Sequence, residues 1–295
     1  MPSGSAGDMM PECSSVTDRR TPMGSQVKWA VILPPSLFLV AFFLLPSLIV
    51  VLASLRETGE FGGLAPFAGA ASLTIEAYRF LGGDLIYAEI LLRSFLVAAL
   101  TTVLCILLAY PLAWLIARSP KQRRDLLVLL VILPFASNFL VRIYAWIMIL
   151  GPAGLLYTPF AVIAGLVYVH LPFMILPLYT NLEKHDPALL EAAQDLGANA
   201  WTRFWRVTFP LSLPGIFSGA ALVFIPVLGM FAVPELLGGT GDILIGNLIK
   251  EQFLDNRDWP LGSALSIVLT VCVLFLAALA AWAAKRGLHG TEAIS

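Results

Sequence analysis

Residues 91–117 read LLRSFLVAALTTVLCILLAYPLAWLIA, a run in which Arg93 is the one formal charge. A helix needs about 20 largely apolar residues to cross ~30 Å of hydrocarbon, so this run predicts a membrane span. It is apolar around its whole circumference and offers no wet face to a water-soluble domain. Five further runs pass the same test, at residues 29–55, 126–150, 160–179, 216–237 and 261–284. The composition agrees: 59% of the 295 residues are hydrophobic and 13% charged, roughly half the charge density of about 25% in soluble domains. The expected fold is an all-α polytopic membrane protein with six transmembrane helices.

Residues 1–28 are rich in Ser, Gly, Pro and Thr and hold too few apolar side chains to offset ordering entropy, so they read as a disordered tail. The first apolar run exceeds the roughly 7–15 residues of a signal-peptide core and is expected to stay as an anchor. Residues 29–284 then form the membrane domain, and residues 285–295 a short C-terminal tail. Lys and Arg in short connections are held on the cytoplasmic side during insertion. With both termini inside, the inner segments hold twelve such residues and the outer ones four, Arg56, Arg79, Lys250 and Arg257. Both termini are therefore expected in the cytoplasm.

The formal charge of −1 sets up no global field for nucleic acid. Cys13, Cys105 and Cys272 lie too far apart to suggest a disulfide framework or a metal site. No cofactor or metal is expected. Pro34, Pro35, Pro46, Pro111, Pro134, Pro172, Pro177, Pro226 and Pro234 fall within the runs. Each frees a backbone carbonyl that neighbours or cavity water must satisfy, which suits moving parts around a pathway as well as simple packing.

Between the fourth and fifth runs, residues 182–212 form an inner loop whose core reads EKHDPALLEAAQDLG at 183–197. Asp186 is a natural N-cap, Pro187 fits the first helical position, and Gly197 stands where a helix exit wants a left-handed residue. Leu189, Ala192, Ala193 and Leu196 repeat at helical spacing and form a narrow apolar stripe with small residues at its middle. A second amphipathic piece, residues 201–207, is expected to end at Pro210. Helix, bend and helix suit a knob entering a groove on another protein, or else an interfacial helix lying on lipid headgroups.

Glu191-Ala192-Ala193, three residues, Gly197, nine residues and then Val207-Thr208-Phe209-Pro210 resembles the EAA loop of the membrane subunits of ABC importers, with Phe209 in place of the usual leucine. Further strings are similar to the first permease subunit of spermidine/putrescine importers. They are Leu133-Pro134-Phe135 with Asn138 and Arg142-Ile143-Tyr144, YVHLPFMILPL at 168–178, PELLGG at 234–239, Ile245-Gly246-Asn247 and RDWPLG at 257–262. They cover residues 86–284, about two thirds of the chain.

The resemblance implies a type I importer permease in a bacterial inner membrane, with Glu191, Ala192, Ala193, Gly197 and Pro210 coupling it to a cytoplasmic ATP-binding subunit. That subunit is a separate chain in two copies, since this sequence holds no G-x-x-x-x-G-K-[ST] phosphate loop. A second homologous permease and an extracytoplasmic substrate-binding protein complete the implied assembly. The connection at 151–159 is shorter than such subunits usually have.

A polyamine carries ammonium groups on a methylene chain, so its path should offer carboxylates spaced from aromatic faces. Glu235, expected near the outer end of the fifth span, is the carboxylate candidate, with an interfacial group in outer water as the alternative. Asn138, Tyr144 and Trp146 are lining candidates. Arg142, one turn after Asn138, is expected to pair with a carboxylate or with carbonyls. His170 is expected to be packed and hydrogen-bonded.

The expected function is therefore a non-enzymatic polyamine importer permease. Related importers of ferric iron, sulfate or phosphonate, and a self-sufficient secondary carrier, stand as alternatives. A membrane enzyme would need clustered ligands or acid–base groups, whereas His170, His185 and His289 are isolated.

Overall fold

The computed structural model describes residues 25–66, 73–239, 241 and 243–292. The expected tail thus lies almost wholly outside the described residues. Two units divide the chain, residues 1–49 and 50–295. The first holds α1 (Ser25–Leu39), a π-turn at Val40–Leu44 and the start of α2 (Leu45–Ser54), whose residues from Val50 on belong to the second. Ile32–Ser54 is long and apolar enough to cross a membrane.

The second unit contains α3 (Glu76–Gly83), α4 (Leu85–Arg118), α5 (Lys121–Ile132), α6 (Phe139–Leu150), α7 (Pro159–Leu182), α8 (Pro187–Asp195) and α9 (Ala200–Arg203). It continues with α10 (Phe209–Gly229), α11 (Ala232–Leu237), α12 (Ile245–Lys250) and α13 (Trp259–Glu292). The described residues hold isolated antiparallel bridges, Arg56 to Leu73 and Thr58 to Leu64, and no strand. Among the described residues five helices are long and apolar enough to span a membrane, six if the bent pair is taken as one span.

The core lies where α4, α7 and α10 pack together. On α4 the buried residues Ala98, Thr101, Thr102, Cys105, Ala109 and Ala113 repeat at three- and four-residue spacing, so small side chains form the face along which backbones approach closely. Leu107, Phe217 and Leu274 point outward and stay about 63% exposed, the arrangement expected where lipid, not water, is the solvent. His170 is buried and its Nδ1 lies 2.8 Å from the Leu166 carbonyl oxygen, the packed state expected of it.

The third span is broken where a continuous helix was expected. Lys121–Ala136 and Phe139–Leu150 meet at 91°. Pro134 sits in a 3₁₀ turn at Leu133–Ala136, and Ser137 Oγ donates to the Pro134 carbonyl at 2.7 Å. Asn138 then starts α6 by accepting the Leu140 N–H on its side chain at 2.8 Å. Proline removes the helical donor and the Ser-Asn pair supplies a stop and a new cap.

The fifth span also departs from expectation, at both ends. It begins at Ala200 and ends at Gly229, so residues 201–207 are not a separate helix stopped by Pro210. A π-turn at Phe204–Thr208, in which the Phe209 N–H bonds the Phe204 carbonyl, widens the helix just before Pro210, whose ring carries no N–H to donate. At the other end Met230 is extended (ψ 120°) and α11 starts afresh. Glu235 therefore belongs to a short separate helix and not to the end of the span. Likewise α13 runs past residue 284 to Glu292.

Candidate functional site

The elbow α8–α9 is built from local hydrogen bonds. Asp186 Oδ1 accepts the Ala188 N–H at 2.9 Å, with Pro187 at the first helical turn. At the exit Gly197 takes φ +80°, its N–H donates to the Gln194 carbonyl at 2.8 Å, and the Ala198 N–H donates to the Ala193 carbonyl at 3.0 Å. This 5→2 and 6→1 pair is the Schellman closure, which a left-handed glycine permits without side-chain clash. Asn199 caps α9 by accepting the Thr202 N–H at 2.8 Å, and Arg203 Nη1 reaches back to Gln194 Oε1 at 2.7 Å.

Of the residues expected to couple, Glu191, Ala192 and Gly197 are exposed, Ala193 is half-buried, and Pro210 is exposed on the first turn of α10. Leu196 is 89% and Trp201 71% exposed, so large apolar side chains flank the Gly197 bend uncovered. Behind the elbow a cavity of about 530 Å³ opens between α8, Trp114 and Arg118 of α4, and Glu183 at the end of α7.

A second site gathers around Glu235. A cleft of about 280 Å³ is walled by Glu235, Asn247, Lys250, Glu251 and Asp255. Lys250 Nζ donates to Glu235 Oε1 at 3.1 Å and to Asp255 Oδ2 at 3.0 Å. The two carboxylates, Asp255 foremost, raise the Lys250 ammonium above the ordinary lysine value. Asp255 reaches Lys250 because Glu251–Asp255 is a π-turn, which brings the fifth residue, not the fourth, back over the helix start. Asn247 Nδ2 donates to the Phe231 carbonyl at 3.0 Å, while its Oδ1 is buried with no hydrogen-bond partner.

Glu235 is held there by the packing of α11 on α7. Val233 and Leu237 are buried against Gly165, where an added Cβ would lie 2.5 Å from Leu237 Cδ1. The short connection at 151–159 contributes as well, since the Tyr157 N–H donates to the Leu237 carbonyl at 3.0 Å.

Asn138, Tyr144 and Trp146 do not line this cleft. Asn138 caps α6, Tyr144 is 54% exposed, and Trp146 packs edge-on against Tyr168 with ring centroids 5.6 Å apart. Arg142 departs from its expected carboxylate or carbonyl partner. Its guanidinium stacks over Phe135 at 5.3 Å and Phe139 at 5.9 Å, and its Nε is buried without a hydrogen bond. The rings on either side of the break are what it grips. Sequence reasoning missed Lys250 as the partner of Glu235 and Asn247 as a wall of the same cleft. A five-residue return across a π-turn leaves no mark in a helical periodicity.

The model of the family described as "Binding-protein-dependent transport system inner membrane component" matches residues 109–286. The spermidine/putrescine transport system permease protein PotB of Escherichia coli (strain K12) is 42% identical over 271 residues, 85% of this chain and 95% of that protein. PotB of Haemophilus influenzae is 43% identical over 258 residues, 81% of this chain and 87% of its own length. Among solved structures, a bacterial ABC transporter involved in the import of the acidic polysaccharide alginate aligns with a TM-score of 0.60 at 18% identity, over 88% of this chain and 96% of that one. That last likeness concerns the fold alone.

Proposed function

The chain belongs to the binding-protein-dependent transport system inner membrane components, and we infer from that membership how its parts divide the work. It is a permease subunit of a polyamine ABC importer, multi-pass in the inner membrane, and not an enzyme. A separate ATPase hydrolyses ATP and a substrate-binding protein delivers the solute. The alignment over 95% of a spermidine/putrescine permease is the observation that carries this reading.

In the finer reading, α8 and α9 dock into a cleft of the ATPase. Supporting this are the two caps, the glycine closure and the uncovered Leu196 and Trp201. Two ATPase copies and a second, homologous permease complete the assembly, and both termini lie in the cytoplasm, a reading supported by the twelve-to-four distribution of basic residues. Glu235 stands on the transit path as the carboxylate met by a substrate ammonium. Asn138, Tyr144 and Trp146 line the same path away from the Glu235 cleft.

The test is the ATPase activity of the reconstituted assembly with binding protein loaded in turn with spermidine, putrescine, sulfate and ferric ion. Stimulation by the amines is expected, and stimulation by an anion or metal alone overturns the substrate class. For the path, polyamine uptake should fall severalfold with Glu235→Gln, and wild-type uptake removes Glu235 from it.

A further inference from the structure

A lysine side chain is a primary ammonium on four methylenes, the same group as the butylammonium end of putrescine or spermidine. In this structure that group already occupies the carboxylates of the Glu235 cleft. Lys250 Nζ lies between Glu235 Oε1 at 3.1 Å and Asp255 Oδ2 at 3.0 Å, and two of its three N–H donors go to them. The cleft keeps further acceptors in its wall. Asn247 Oδ1 is buried without a partner, and Glu251 lines the same cleft.

We propose that Lys250 is the site's own stand-in cation, holding the Glu235–Asp255 pair until a substrate ammonium displaces it and taking the pair back once the substrate has passed. The proposal rests on the reading of Glu235 as a transit residue. Exchange of one ammonium for another keeps Glu235 and Asp255 paired while the substrate passes. Without Lys250 the two carboxylates would hold a passing cation more tightly and release it more slowly.

The exchange also discriminates. A monoamine replaces Lys250 with an equivalent group and gains nothing, and it must still surrender its translational freedom. A polyamine brings a second ammonium to the oxygens that Lys250 leaves unused, Asn247 Oδ1 and Glu251. Lys250 thus makes the cleft selective for cations carrying more than one ammonium.

The wild-type assembly in lipid nanodiscs tests this directly. Lysines are acetylated with a membrane-impermeant N-hydroxysuccinimide ester, and modification of Lys250 is read by mass spectrometry as a ratio to that of the exposed Lys121, which cancels the reagent consumed by free amine. Saturating spermidine should raise the labelling of Lys250 about threefold or more, a shift of population that the displaced lysine reports. Butylamine at the same concentration, and sodium chloride at matched ionic strength, should not. Unchanged or reduced labelling with spermidine overturns the proposal, and equal labelling with butylamine overturns its selectivity.

Variants provide an independent reading through spermidine binding to the assembly without binding protein, its ATPase held by a non-hydrolysable ATP analogue. Lys250→Gln should tighten spermidine binding about threefold or more; unchanged or weaker binding contradicts the stand-in role. Glu235→Gln separates the two levels of argument. If it binds spermidine like wild type, the transit reading of Glu235 fails. If it binds more weakly while Lys250→Gln binds no more tightly, the transit reading stands and only the stand-in cation is lost.

Discussion

Arg203 Nη1 donates to Gln194 Oε1 at 2.7 Å across the bend at Gly197, joining the last turn of α8 to α9 from outside the backbone. The Schellman closure sets the angle of the elbow and this side-chain bond holds it. The bond is solvent-exposed, so its net worth is about 0.5–1.5 kcal/mol.

Arg203→Ala should therefore weaken ATPase capture by roughly two- to tenfold while leaving membrane insertion intact. Gly197→Asp, which places a side chain at φ +80°, should do more, since a left-handed residue with a Cβ costs about 1–2 kcal/mol. Co-purification of the ATPase with each variant measures the effect. Normal yield together with normal transport for Gly197→Asp contradicts the coupling role of the elbow.

Gly165→Ala puts a Cβ 2.5 Å from Leu237 Cδ1 and 3.0 Å from Val233 Cγ1, so α11 must shift or the variant loses about 1–3 kcal/mol. Thermal unfolding in detergent should fall with the single change. Leu237→Val in the Gly165→Ala background should restore part of it. Absence of any rescue means that α11 is not seated by this contact.

Arg142 bridges the broken third span through aromatic faces, an interaction worth about 0.5–2 kcal/mol. Arg142→Lys keeps the charge but loses the planar stack, and Arg142→Leu loses both. Expected stabilities run wild type, then lysine, then leucine. A leucine variant more stable than the lysine one shows that simple packing, and not the cation, holds the elbow of that span.

The Lys250 ammonium has its pKa raised in the folded protein, so the stability it contributes is complete below the unfolded lysine value of about 10.4 and is lost as pH rises through the higher folded value. Between about pH 7 and about pH 9 the wild type and Lys250→Gln should show parallel stability profiles. A loss confined to wild type in that window is the outcome that contradicts a fully charged Lys250.

Helix α8 and its exit at Gly197 were legible residue by residue because their caps are local. Asp186, Pro187 and Gly197 act within four positions of themselves, whereas the Asn199 cap of α9 was not read. The spans were legible from apolar length, but their ends were not. The third run contains Pro134 and the Ser137-Asn138 cap inside uninterrupted hydrophobicity, and hydropathy is blind to a bend that lipid and neighbours can accommodate. Glu235 was found as an isolated carboxylate. Its neighbours were not, because Lys250 and Asp255 reach it through a break after Gly229, an intervening loop and a π-turn, none of which carries a period. The similarity to PotB covers 85% of the chain, wider than the motif strings alone had carried.

The span from Ala200 to Gly229, which continues through the π-turn at Phe204–Thr208, has a mechanical corollary. At 1.5 Å per residue its 30 residues make a rod of about 45 Å, longer than the hydrocarbon it would traverse. Its foot is the elbow, and at its tip a Cβ on Gly246 would come within 2.9 Å of the Gly229 oxygen. One span thus joins the elbow to α12, the helix that carries Lys250.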